Sequence, residues 1–167
     1  MKKKHDLLLI INFFLIKMKL GNFVGKSRFS FIKTTYMNYT SDKIKVRYNE
    51  TDQMGIVHHS NYLKFFELAR IEWLEKLNMP YEEIESNNII LPVVKCELIF
   101  IKPLFFGDIF FIKVFCSKKP TSTIEFTYEI FNDKNEITTE GKTSLAFVDS
   151  LTRKPLRCPN MIGKLFE

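Results

Sequence analysis

The residues best suited to chemistry lie in one run, Arg47-Tyr48-Asn49-Glu50-Thr51-Asp52-Gln53-Met54-Gly55-Ile56-Val57-His58-His59-Ser60-Asn61-Tyr62. It brings acids, a glycine and two adjacent histidines together just ahead of a stretch with helical periodicity. A carboxylate here, Asp52 foremost, could act as nucleophile or general base on a polarised carbonyl. The first N–H groups of a helix lack intrahelical partners and carry a partial positive charge, so they favour an oxyanion developing beside them. Residue types alone leave a plainer alternative open. An aspartate ahead of a glycine-containing turn commonly hydrogen-bonds its own backbone.

His58 and His59 do not suggest a metal site. Adjacent side chains seldom converge on one ion and no third ligand is suitably spaced, so neither a metal nor another cofactor is expected. Asn61 has two readings, as a cap for the helix start or as a group that orients Asp52 or a substrate.

The elements that must hold these residues follow from periodicity. Ile44, Val46 and Tyr48 alternate with Lys45 and Arg47, the pattern of a half-buried strand. Tyr62, Phe65, Phe66, Ala69, Trp73 and Leu77 recur at steps of three and four, while Lys64, Glu67, Arg70 and Glu75 fall mostly elsewhere. This predicts an amphipathic helix with an aromatic buried face, capped by Ser60 or Asn61 and ended at Asn78 and Pro80. Four β-like runs follow, at about 91–102, 109–117, 123–132 and 137–148, separated by turn residues such as Gly107-Asp108 and Lys119-Pro120. Short connections require antiparallel pairing. The expected fold is therefore α+β, a five-stranded antiparallel sheet wrapped around one long central helix.

The run from Tyr48 to Leu63, continuing through Phe66-Glu67-Leu68-Ala69-Arg70, resembles the signature of the 4-hydroxybenzoyl-CoA thioesterase family of hot-dog proteins. It is most similar to the small bacterial acyl-CoA thioesterases found beside the Tol-Pal envelope system, and the likeness extends through Pro103, Gly107 and Asp108 to about Val148. The resemblance implies a hot-dog fold whose protomers pair sheets edge to edge as homodimers or homotetramers, and it implies hydrolysis of an acyl-CoA thioester. The family's catalytic aspartate falls on Asp52. Gly55 would keep the loop close to substrate, and the backbone N–H near His59 would polarise the thioester carbonyl. A histidine at position 59 matches the Tol-Pal branch and favours short aliphatic acyl groups. Asn61 and Tyr62 join Gly55 as substrate-binding residues, and Lys118 and Lys119 would meet the phosphates of coenzyme A. An alternative within the same fold is a catalytically weak binding protein for acyl-CoA or an acyl carrier.

Charge and composition limit the other classes. At 167 residues, 46% hydrophobic and 26% charged, the chain suits one globular domain with a core. Residues 1–36 hold eight basic side chains against one acid, whereas residues 37–167 hold 17 against 18. The basic balance thus belongs to the leader, and a nucleic-acid-binding face loses its support. The apolar stretch 7–16 is about half of the ~20 residues of a spanning helix, so no stable membrane span is expected. Residues 1–36 read as a leader for a plastid-type organelle or mitochondrion. The alternative is a true start at Met37 and a cytoplasmic enzyme. Cys96, Cys116 and Cys158, odd in number and widely spaced, read as reduced thiols.

Overall fold

The third β-like run forms a strand over its full predicted length. In the computed structural model, Thr123–Asn132 forms a strand in which Ile124, Phe126, Tyr128 and Ile130 are buried in the hydrophobic core. The structure describes residues 37–167, so the expected leader at residues 1–36 lies outside the described residues.

The strands are β1 (Met37–Thr40), β2 (Ile44–Lys45), β3 (Ile89–Ile90), β4 (Val93–Phe100), β5 (Ile109–Cys116), β6 (Thr123–Asn132), β7 (Ile137–Ala146) and β8 (Val148–Asp149). The helices are α1 (His59–Lys76), α2 (Tyr81–Ser86) and α3 (Asn160–Gly163). The main sheet has six strands where five were expected, in the order β1-β5-β6-β7-β4 with β2 also on β5, and β3 pairs with β8 in a separate ribbon. All of these pairings are antiparallel.

The extra strand arises at the start of the domain. The expected strand 44–48 shrinks to Ile44–Lys45, because Glu50 draws Arg47 into a 3₁₀ turn over Tyr48–Glu50. Residues 37–40, in which half-buried Met37 and Tyr39 alternate with exposed Asn38 and Thr40, form β1 along the far half of β5. The meander is also broken at one point. β4 pairs with β7 at the other side of the sheet from β5, so residues 101–108 cross the sheet end between them. That crossing places Leu104 and Phe105 under the Asp52 segment.

Helix α1 lies on the inner face, its 18 residues rising about 27 Å. Phe66 stacks on Tyr128 with ring centroids 4.2 Å apart, Trp73 meets Phe126 edge-on, and Phe65 meets Phe110. Burial of this aromatic face supplies most of the helix's anchoring. Asn78, at φ 55°, turns the chain out of the helix. Arg70 departs from the expectation of a polar outer position. It is 4% exposed and donates to the Tyr128 hydroxyl at 3.2 Å, which is in turn 2.9 Å from Thr143 Oγ1.

Candidate active site

The site is built outward from Glu50. Its carboxylate is buried and accepts from the Arg47 backbone N–H at 2.7 Å, from Arg47 Nε at 2.9 Å and from the guanidinium NH2 at 2.6 Å. An ionised group so removed from water needs this paired, charge-assisted bonding. The Glu50 carbonyl, for its part, accepts both the His58 N–H and Asn61 Nδ2, each at 2.8 Å. Two links therefore bind the 3₁₀ turn to the first residues of α1.

Between those links runs the Asp52 turn. Asp52 N–H donates to the Ile56 carbonyl at 3.0 Å, Gly55 N–H donates to the Asp52 carbonyl at 2.9 Å, and Met54 N–H donates to Asp52 Oδ1 at 2.8 Å. Gly55 sits at φ +76°, a conformation that a Cβ would strain although nothing lies within 4 Å of where one would be. The turn is seated on the crossing segment, with Val57 N–H donating to the Leu104 carbonyl at 2.8 Å and Ile56 bridged to Phe105. Asp52 is half-buried, so its carboxylate is held in place yet accessible.

Helix α1 is capped by His58, two residues ahead of Ser60 and three ahead of Asn61, the caps that were expected. His58 Nδ1 lies 3.4 Å from the Ser60 amide, which donates to it, and 2.8 Å from Ser60 Oγ. Its ring tilts against that of His59, centroids 4.1 Å apart. His59 is exposed at the first helical position, where the backbone N–H groups have no helical acceptor. Asn61 is buried and its amide N–H belongs to the link with Glu50, a scaffold role that sequence spacing did not specify. Tyr62 is 3% exposed, its ring 5.0 Å from that of Phe100, and burial pushes its phenol above the usual range.

Asp52, Gly55, His59, Asn61 and Tyr62 are thus gathered at one end of α1. Lys118 and Lys119 are not. They lie past the far end of β5, about 25 Å along a strand whose other end adjoins the Asp52 turn. Lys118 reaches Glu125 at 3.7 Å and Lys119 reaches Glu167 at 3.9 Å. The residue missed by sequence reasoning is Glu50, whose position three after Arg47 was the available signal. Among the described residues no group of three or more His, Cys, Asp or Glu side chains could hold a metal, and no helix is long and apolar enough to cross a membrane.

An antiparallel sheet carrying one helix on its inner face, with a carboxylate turn tied to the start of that helix, is the α+β hot-dog arrangement. The chain belongs to the Thioesterase-like superfamily, which matches residues 46–166. It is similar to the putative acyl-CoA thioesterase YneP of Bacillus subtilis, 31% identical over 121 residues that cover 72% of this chain and 88% of the relative. It is 27% identical over 124 residues to the acyl-CoA thioester hydrolase YbgC of Escherichia coli O6:H1, covering 74% and 92%. A crystal structure of DHNA-CoA thioesterase from Staphylococcus aureus matches with a TM-score of 0.69 at 35% identity, over 72% of this chain and 80% of that one.

Proposed function

We propose that the protein hydrolyses acyl-CoA thioesters, with short aliphatic acyl groups preferred. The carbonyl carbon gains an oxygen from water, the C–S bond breaks, and the products are a carboxylic acid and the thiol of coenzyme A. In this reading Asp52 attacks the carbonyl carbon or takes a proton from the attacking water, and the N–H groups at the start of α1 receive the charge developing on the carbonyl oxygen. Gly55 and Tyr62 border the acyl group, His59 stands beside the carbonyl, Asn61 fixes the turn, and Lys118 and Lys119 meet phosphates. The observation that carries the reading is the double link through the Glu50 carbonyl. It fixes the carboxylate turn relative to the helix start, as a preorganised site requires.

The working unit in this reading is a homodimer or homotetramer. On the inner face of β4, Leu98 packs against the core while Cys96 is exposed, so this face runs beyond the cover of α1. The strand is also the open end of the sheet path, and a second protomer would cover both. Residues 1–36 are read as a targeting leader, and mass spectrometry of the native N-terminus tests that assignment.

The test of function is a thiol-release assay over acyl-CoA esters of increasing chain length, with the intact chain and with one beginning at Met37. Turnover highest on short aliphatic esters and lost in Asp52→Asn is the expected result. Absence of hydrolysis across the series, with retained acyl-CoA binding, would leave a binding protein instead.

A further inference from the structure

His58 has no assigned part in the hydrolysis, yet it is the more firmly held of the two histidines. Its N–H donates to the Glu50 carbonyl at 2.8 Å and its own carbonyl accepts the Asn61 N–H at 3.0 Å, so the backbone at this position is tied on both sides. The half-buried ring is tied as well. Its Nδ1 accepts the Ser60 amide N–H at 3.4 Å and lies 2.8 Å from Ser60 Oγ.

His59 has the opposite character. It is exposed on the first residue of α1, and its side chain makes no hydrogen bond or ion pair among the described residues. What it does touch is the His58 ring, with centroids 4.1 Å apart and planes inclined by 36°. An exposed imidazole with nothing to hold it spreads over several staggered rotamers, and that freedom must be given up whenever one orientation is required. A fixed ring packed against it selects one orientation in advance.

We propose that His58 is a positioning residue for the thioester reaction and acts through His59, its anchored ring holding the His59 imidazole in the rotamer that meets the acyl-CoA carbonyl. The proposal rests on the acyl-CoA reading for the reaction it serves, whereas the pairing of the rings does not depend on any substrate. Capping is a separate contribution of the same side chain. The Ser60 amide needs an acceptor and the His59 ring needs a flat surface, so substitution can part the two. Asparagine supplies an acceptor suited to a helix cap but no ring. Phenylalanine supplies a ring but no acceptor.

Two measurements on the full chain test this: NMR three-bond couplings of the His59 side chain, and steady-state hydrolysis of a short acyl-CoA ester. The sequence has only three histidines, so the ring signals can be assigned by substitution. The couplings should report a single rotamer in the native protein, an average over rotamers in His58→Asn, and a single rotamer again in His58→Phe. Turnover should follow them. In His58→Asn kcat should fall roughly threefold, the loss expected when one of about three staggered wells is no longer selected, with KM unchanged. His58→Phe should recover kcat. Melting temperatures should run the other way, near native for His58→Asn and lower for His58→Phe, so a simple loss of folding cannot produce the kinetic pattern. In a His59→Ala background, His58→Asn should cost nothing further, because the ring it positions is gone. Averaged His59 couplings in the native protein, couplings that His58→Asn leaves unchanged, a native kcat in His58→Asn, or an equal fall in the His59→Ala background would each overturn the proposal. A native protein that hydrolyses no acyl-CoA ester refutes the acyl-CoA reading instead, and the couplings still decide whether His58 holds the His59 ring.

Discussion

Oδ1 of Asp52 accepts the backbone N–H of Met54 over 2.8 Å, so the carboxylate assigned to chemistry also closes the turn that carries it. The two roles can be separated by choice of substitution. Asparagine keeps an oxygen for the Met54 N–H but cannot attack or take a proton as a carboxylate does. Asp52→Asn should therefore lower kcat by roughly 10²–10⁴-fold with the melting temperature almost unchanged. Asp52→Ala should match that loss and lower stability as well, because the Met54 N–H then loses its partner. Near-native turnover in a folded Asp52→Asn protein would remove the carboxylate from the mechanism.

The second prediction concerns His59, whose ring is exposed while its backbone N–H stands at the helix start. His59→Ala leaves that N–H in place and should reduce turnover less than Asp52→Asn does. Kinetics of the two variants side by side decide between a supporting ring and an essential one. Equal losses would make the imidazole a principal catalyst.

How much of this was legible in the sequence depended on whether an element is set by periodicity or by a single polar contact. Thr123–Asn132 was readable to the residue because its alternation runs unbroken from Ile124 to Ile130, and the aromatic face of α1 was readable for the same reason. The strand expected through Tyr48 was not, because the Glu50 carboxylate, with its grip on Arg47, outweighs the alternation and leaves Tyr48 79% exposed. Arg70 looked like a surface residue since charge normally stays in water. Its burial depends on Tyr128, 58 positions away, a distance over which local pattern carries no information. The Asp52 turn and the helix start were legible as neighbours in sequence, whereas their joint anchor, the Glu50 carbonyl, is a backbone atom that no residue type reveals. The separation of Lys119 from the Asp52 turn follows from β5 running between them, which required the strand order.

A third prediction tests the packing behind the site. The Phe66 ring lies where a Cβ on Gly141 would stand, so Gly141→Ala forces either the ring or β7 to move. Overpacking of this kind should cost roughly 1–3 kcal/mol in denaturant unfolding. Phe66→Leu in the same chain should recover part of the loss, since it removes the atoms in the way. Additive effects of the two substitutions would show that the contact is not the cause.

The open strand gives a fourth. Cys96 is exposed in the middle of β4, on the face expected to meet a second protomer. Cys96→Lys places like charges close together across a two-fold axis and should weaken self-association by roughly tenfold or more. Sedimentation velocity at micromolar protein would show a shift from oligomer toward monomer, with turnover falling in parallel if both protomers build the site. A native protein that sediments as a monomer would contradict the assembly itself.

The last prediction is a dependence of stability on pH. Glu129 on β6 is 8% exposed, and its cross-strand neighbours are Glu140 on β7 and Lys113 on β5. Burial pushes its carboxyl above the usual range, the charge of Glu140 adds to that, and Lys113 opposes it. A carboxyl with a raised folded-state pKa binds its proton more tightly when folded. Its contribution is fully present below the unfolded value near 4.3 and is lost as pH rises through the folded value. Above that window the native protein holds an unfavourably buried charge. Glu129→Gln, which cannot ionise, should therefore be more stable than the native chain at pH 7.5, by about 1 kcal/mol, and nearly equal to it at pH 4. Urea unfolding of both proteins at the two pH values isolates this group, because the other carboxylates are common to both. A stability difference that stays constant, or that grows as pH falls, would mean that Glu129 is held as a favourable anion by Lys113.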